Sequence, residues 1–124
     1  SYRLIPELLD VLQGRADDIS TSTLGEIVAE LWTLRQMSMS VAGQISNGAD
    51  PLLEAAMVKD LGATFEQDLP HRIQASLDGG ADDGRYEQLA PVLDYLLNAA
   101  PSFSLRGGTR EILRGIIARG LGLR

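Results

Sequence analysis

Residues 24–53, LGEIVAELWTLRQMSMSVAGQISNGADPLL, contain the pattern that decides the fold. In the first part of this stretch, apolar residues recur at the spacing of a helix that packs on a second helix. They are Leu24, Ile27, Val28, Leu31, Leu34, Met37, Val41 and Ile45. Asn47-Gly48 is typical of a helix end, and Asp50-Pro51 is typical of the next helix start. The stretch therefore predicts two long antiparallel helices joined by a tight turn.

The flanks of this hairpin predict where its two helices begin and end. Thr23 and Glu26 have the spacing of a capping box, which predicts that the first helix starts there, after a polar loop over residues 15–23. The second helix is predicted over residues 51–77. Pro70 lies inside it, and we expect this proline to kink or interrupt the helix because it lacks a backbone donor.

Outside the hairpin, strand patterns are scarce and helical spacing again dominates. The sequence predicts a short helix over residues 6–12, another over residues 85–98, and a last one that is capped by Thr109 and ends near Gly120. We therefore expect an all-α chain, an up-and-down four-helix bundle with a short extra N-terminal helix. We expect residues 1–124 to form a single helical domain, with residues 1–22 as an N-terminal extension.

Composition excludes several classes of protein. The chain has 124 residues, enough for one domain but not two, and it is 44% hydrophobic with no cysteine. Its single histidine, His71, cannot form a histidine metal site alone, so no metal is expected. No apolar run approaches the ~20 residues of a membrane span, and no signal peptide is visible. These features favour a cytoplasmic protein without a membrane span.

Charge is distributed unevenly along the chain. The net charge of −6 argues against a nucleic-acid partner. Residues 101–124 nevertheless carry five basic residues and one acidic residue, and the rest of the chain is strongly acidic. The basic C-terminus could bind an anionic ligand, or it could pair with the acidic remainder of the chain.

The basic segment contains a Gly-Gly-Thr turn before the last predicted helix. Gly107 and Gly108 permit positive φ angles and leave room for a ligand, and the Thr109 hydroxyl can cap the helix or bind that ligand. The start of a helix also attracts negative charge. Spacing alone favours an ordinary turn and helix cap over a ligand site, because no phosphate-binding lysine motif follows.

The string that begins at this turn resembles the C-terminal signature of the acyl-CoA dehydrogenases, a family of flavoenzymes. The matching residues are Gly107-Gly108-Thr109, Glu111-Ile112, Arg114, Ile116-Ile117-Ala118 and Leu121-Gly122, all in register. A looser likeness covers residues 24–70, which include Leu53-Glu54-Ala55-Ala56-Met57-Val58-Lys59. In that family the C-terminal domain is a four-helix bundle that lies against the flavin. The complete enzymes also have an N-terminal helical domain and a middle β-domain.

The resemblance implies FAD as cofactor and an acyl-CoA thioester as substrate, whose Cα–Cβ bond the family oxidises. It implies that Gly108, Thr109 and Glu111 contact FAD. Arg119 matches an arginine near the substrate, although a cation in the last turn of a helix also interacts well with the dipole. Many relatives place a catalytic glutamate where this chain has Gly107. Since the chain also matches the family's alternative base helix poorly, no catalytic residue is predicted.

Two further departures keep a second function open. The family's Gln-x-x-Gly-Gly motif, which reaches the flavin of a neighbouring subunit, has four residues in place of two between Gln74 and Gly79. Arg106 stands where an aromatic residue is usual. The sequence therefore predicts either a flavin-contacting domain that is inactive in isolation, or a non-catalytic interaction module or inactive partner subunit. Either type is expected to form homo- or hetero-oligomers through its helices.

Overall fold

The computed structural model describes residues 18–77 and 85–123, and every regular element within these ranges is helical. The helices are α1 (Asp18–Ser46), α2 (Leu52–Leu77), α3 (Arg85–Ala99), a 3-10 helix (Ala100–Leu105) and α4 (Arg110–Gly120). The predicted all-α class is therefore confirmed for the described part of the chain. The four predicted helices of the main body appear in the predicted order.

Helix α1 begins at Asp18, earlier than the predicted start at Thr23. The expectation of a polar loop is therefore wrong for residues 18–23. Thr21 and Ser22 are exposed, so their hydroxyls do not oppose burial of the helix. The apolar side of α1, which starts at Leu24, packs on α2. This packing stabilises the preceding turn as helix, and its effect is larger than the preference of the capping box for a start at Thr23.

The turn between α1 and α2 forms as the sequence predicts. Gly48 has a φ of +79°, and the Asn47 amide donates to the Gly43 carbonyl at 3.1 Å. The Ala49 amide donates to the Gln44 carbonyl at 3.0 Å, which satisfies a further carbonyl in the last turn of α1. The Pro51 carbonyl accepts the first bond of α2 from the Ala55 amide, so α2 starts one residue later than expected.

Helix α2 is the central element, since α1, α3, the 3-10 helix and α4 all pack against it. Pro70 lies inside α2 without interrupting it. The proline ring is fully buried, so its packing offsets the one backbone hydrogen bond that it removes. The helix continues to Leu77 as one element, so the interruption does not occur, and a kink at Pro70 stays a prediction.

The core lies where the second half of α2 meets α3, the 3-10 helix and the first half of α1. Its buried members are Ile27, Phe65, Leu69, Ile73, Leu89, Leu93, Leu96, Ala100 and Phe103. Ile27 is the one buried residue of α1 from Thr21 to Ser46, so this helix is fully covered only near its start and partly covered further along. The guanidinium of Arg72 on α2 also binds Glu30 at 2.9 Å and Glu26 at 3.3 Å on α1.

Helix α4 packs along the first half of α2. Gly120 approaches Leu53 so closely that an added Cβ would lie 2.9 Å from a Leu53 methyl carbon. Leu113 of α4 is buried, whereas Ile112 is 59% exposed. Ile112 lies on the side of α4 that faces away from α2. The up-and-down order of the bundle stays a prediction, and the predicted helix over residues 6–12 lies outside the described residues.

Candidate functional site

The turn before α4 has the backbone geometry that its two glycines permit. Gly107 has a φ of +70° and Gly108 a φ of +109°, conformations that residues with a side chain rarely adopt. Thr109 then returns to extended backbone, with φ −70° and ψ 161°, and α4 begins at Arg110. The turn thus brings side-chain-free backbone to the positive end of a helix.

Thr109 occupies the predicted N-cap position but makes no side-chain capping hydrogen bond. Its hydroxyl instead donates to the carboxylate of Glu111. The pKa of Glu111 is lowered from its ordinary value of 4.5, first by a hydrogen bond from its own backbone amide and then by this hydroxyl. Desolvation opposes the shift, and the positive charges of Arg114 and Arg110 support it. Glu111 is therefore ionised at neutral pH and held at the helix start.

Lys59 of α2 lies against the turn at Gly107. A Cβ added to Gly107 would be 3.4 Å from Cε and 3.9 Å from Nζ of Lys59. The position where many relatives carry a glutamate base is therefore next to an ammonium group. The positive φ of Gly107 also disfavours any residue with a side chain at this position, at a cost of about 1–3 kcal/mol in folding free energy.

Arg110 anchors the first turn of α4 to α2. Its Nε lies 3.4 Å from Oδ1 of Asp60, and its Nη2 donates to the Thr64 hydroxyl at 2.8 Å. Thr64 in turn donates to the Asp60 carbonyl at 2.9 Å. Arg114 approaches the other Asp60 oxygen at 3.8 Å. The basic C-terminus therefore does pair with the acidic body through Arg110 and Arg114.

The two remaining arginines of interest lie away from this cluster. The guanidinium of Arg106 stacks over the ring of Phe103, 4.7 Å from its centroid. Arg119 is exposed in the last turn of α4. Arg119 lies ten positions after Thr109, which is about 15 Å along a helix. The structure therefore does not bring Arg119 to the Gly-Gly-Thr turn.

A mainly apolar groove of about 810 Å³ runs between α1 and α2, and we call it the α1–α2 groove. Its lining comprises Val28, Leu31, Trp32, Leu34, Arg35, Ser38, Met39, Val41, Ala42, Ala55, Val58, Lys59, Gly62, Ala63, Phe65, Glu66 and Leu69. Trp32, the single tryptophan of the chain, is 63% exposed on this groove. Lys59 belongs to both the groove lining and the surroundings of Gly107, so the two features are adjacent.

Comparison with known families agrees with the motif in the last helix. The family model described as "Acyl-CoA dehydrogenase, C-terminal domain" matches residues 14–122, which is nearly the whole chain. The chain belongs to the acyl-CoA dehydrogenase family. No curated protein and no solved structure matches the chain significantly. The family model and the helical fold are thus the two findings that support membership.

Other predictions for this acyl-CoA dehydrogenase domain are only partly covered by the structure. Gln74 is half-buried near the end of α2, whereas Gly79 and Gly80 lie outside the described residues. In residues 18–77 and 85–123, no group of three or more histidine, cysteine, aspartate or glutamate side chains could hold a metal ion. None of the helices in these ranges combines the length and the apolar character that a membrane span requires.

Sequence reasoning missed the part of α2 that supports the turn. In the sequence, Lys59 stands out only as part of the likeness to the family, and neither Asp60 nor Thr64 is a predicted site residue. The spacing of Asp60 and Thr64 places both on one side of a helix, which was a usable signal. Nothing in the sequence showed that Arg110, at a variable position of the family signature, would face that side.

Proposed function

We propose that this chain is the flavin-contacting C-terminal helical domain of an acyl-CoA dehydrogenase-like oxidoreductase. In this proposal Gly108, Thr109 and Glu111 contact FAD, and the substrate of the complete enzyme is an acyl-CoA thioester. The observation that carries the proposal is the Gly-Gly-Thr turn, whose two positive φ angles bring open backbone to the start of α4. Membership of the family adds the identity of the ligand to this geometry.

The residues at the turn fit a flavin nucleotide. Gly107 and Gly108 carry no side chain that would block its approach, and the first turn of α4 supplies a positive dipole end. Glu111 is exposed and ionised, so its carboxylate can accept hydrogen bonds from ligand hydroxyl or imide groups. A flavin bound at this turn would supply the hydride acceptor for oxidation of the Cα–Cβ bond of the thioester.

The same turn supplies no proton acceptor for this reaction. Gly107 occupies the position of the usual glutamate, and the neighbouring Lys59 is a cation. We therefore propose that the domain is catalytically inert in isolation, and that a base for the complete enzyme comes from outside the turn. Arg119, exposed about 15 Å away along α4, is proposed to face the acyl-CoA rather than the flavin.

A second candidate function is a non-catalytic interaction module or inactive partner subunit. The α1–α2 groove favours it, because an exposed apolar groove of about 810 Å³ suits contact with another protein surface. The ammonium of Lys59 at the base position also agrees with loss of catalysis. Homo- or hetero-oligomers formed through the helices are compatible with both candidates.

Flavin binding by the complete gene product separates the two. We expect the purified protein to be yellow, or to acquire a bound-flavin absorption spectrum near 450 nm after incubation with FAD and removal of excess. The Thr109→Val, Glu111→Gln double variant should retain less flavin, while Glu54→Gln, a similar change at the exposed start of α2, should behave as the wild type. A colourless, folded protein after incubation with FAD would favour the interaction module.

A further inference from the structure

The surroundings of Arg110 suggest a role that neither the family signature nor the proposed flavin contacts assign. Arg110 lies between Thr109 and Glu111, and these neighbours are the proposed FAD contacts. The side chain of Arg110 points the other way, into α2, where it meets Asp60 and Thr64. We propose that Asp60 is a positioning residue that holds Arg110 and thereby fixes Thr109 and Glu111 at the flavin, an inference that rests on the proposed function.

The geometry of this contact explains how one carboxylate could fix the turn. Asp60 and Thr64 are one helical turn apart on α2, and the guanidinium of Arg110 spans both. Thr64 donates its hydroxyl proton to the Asp60 carbonyl, so its oxygen is left to accept from Arg110. The arginine therefore has a defined partner at each end of its guanidinium.

Burial makes the charge of Asp60 important for this arrangement. The Asp60 side chain is 16% exposed, and the Asp60 Oδ1 and Arg110 Nε atoms are shielded from solvent. Among the described residues neither atom has a hydrogen bond of good geometry, so the Arg110 charge depends on Asp60 at 3.4 Å, while Asp60 is also approached by Arg114 at 3.8 Å. Without the carboxylate, Arg110 Nε would be left buried beside a neutral group, and the arginine would be expected to turn towards solvent.

Loss of the Arg110 contact would affect the Gly-Gly-Thr turn because of the turn's own backbone. Glycines at 107 and 108 give the chain before α4 unusual conformational freedom, so the turn needs external contacts to hold one shape. Arg110 is the first residue of α4, so its contact with α2 lies two residues after the second of these glycines. Release of Arg110 should therefore loosen residues 106–112 while the core around Leu69 stays intact.

The test measures FAD affinity and, without FAD, amide hydrogen exchange of residues 106–113 in the complete gene product. Asp60→Asn removes the charge with little change in shape, and we expect it to weaken FAD binding about tenfold and to speed exchange in that segment. Asp60→Glu should restore most of the affinity. Asp68→Asn, an exposed aspartate further along α2, is the matched control and should leave both measurements unchanged.

Each other outcome counts against a defined claim. If Asp60→Asn binds FAD as tightly as the wild type while Thr109→Val binds it weakly, the positioning role is wrong and the proposed function stands. If the wild type does not bind FAD, both fail. Should Asp60→Asn not fold, Arg110→Gln decides, because it removes the cation that Asp60 holds. An unchanged affinity and an unchanged exchange rate in Arg110→Gln would overturn the inference.

Discussion

The shared hydrogen bond of Thr109 and Glu111 makes the start of α4 sensitive to single residues. The hydroxyl of Thr109 donates to the carboxylate of Glu111 and lowers its pKa, after the larger effect of the glutamate's own amide. Because the pKa is lower in the folded state, this contact stabilises the fold above the ordinary value of 4.5. The stabilisation is lost as the pH falls through the lowered value.

Replacement of Thr109 by valine is therefore expected to raise the pKa of Glu111 part of the way towards its ordinary value. The remaining shift comes from the backbone amide and from the arginine charges. An NMR titration of the Glu111 side-chain carboxyl carbon measures this directly. Thr109→Ser, which keeps the hydroxyl, should titrate like the wild type. An identical Glu111 titration in the valine variant would show that the hydroxyl does not bind the carboxylate in solution.

The glycines of the last segment are expected to respond to alanine in opposite directions. Gly108→Ala forces a side chain into a φ of +109° and should lower the free energy of unfolding by about 1–2 kcal/mol. Gly115→Ala lies within α4, where an added Cβ meets nothing within 4 Å, and should raise it by about 0.5–1 kcal/mol. Urea unfolding of both variants checks the prediction, and a stabilised Gly108→Ala would contradict the turn geometry.

At this scale the sequence predicts the turn but not its surroundings. A turn and a helix start are predicted from Gly107, Gly108 and Thr109 alone, because glycine permits positive φ angles and threonine favours the N-cap position. The contacts of Lys59 and Asp60 depend on how α4 packs along α2, and no local pattern encodes that packing. The hydroxyl of Thr109 also donates to Glu111 and makes no capping bond. A pattern of residue types does not show which of these two hydrogen bonds forms.

Among the elements, α2 carries most of the packing. Leu69 is 1% exposed in the core shared with α3 and the 3-10 helix, whereas Leu61 on the same helix is 47% exposed. Leu69→Ala is expected to cost about 2–5 kcal/mol of unfolding free energy, and Leu61→Ala less than about 1 kcal/mol. Thermal or urea unfolding gives both values. Equal losses for the two variants would mean that α2 does not bury the side assigned to it.

The identity of the helices follows from the sequence more reliably than their ends. The apolar spacing and the pairs Asn47-Gly48 and Asp50-Pro51 place α1, α2 and their turn correctly. The start of α1 was misplaced because Thr23 and Glu26 form a local signal that the packing of α1 on α2 overrides. The sequence predicts a kink or an interruption at Pro70, and α2 is not interrupted because burial of the proline ring compensates for the missing donor.

For the whole molecule, the most telling feature is how much apolar surface stays uncovered. Helix α1 packs chiefly on α2, and large side chains such as Trp32 and Met39 remain mostly exposed along the α1–α2 groove. The predicted all-α class holds for the described residues, but the sequence does not show that Trp32 is left mostly exposed. Amphipathic spacing tells which side of a helix is apolar, but not whether this chain alone covers it.

The 124-residue chain is therefore expected to self-associate at high concentration. Light scattering should show species larger than a monomer, because burial of exposed apolar side chains stabilises association. A Trp32→Gln, Met39→Gln double variant should shift the distribution towards monomer. Tyr95→Gln changes a residue that is 72% exposed on α3, outside the groove, and should leave the distribution unchanged. A wild-type chain that stays monomeric at high concentration would contradict the prediction.

The central claim is that the turn before α4 contacts FAD. Amide hydrogen exchange of the complete gene product, with and without saturating FAD, tests it most directly. We predict that FAD slows exchange in the peptide that covers residues 106–113, with a much smaller change in α1. Tight FAD binding that leaves exchange in this peptide unchanged would contradict the account.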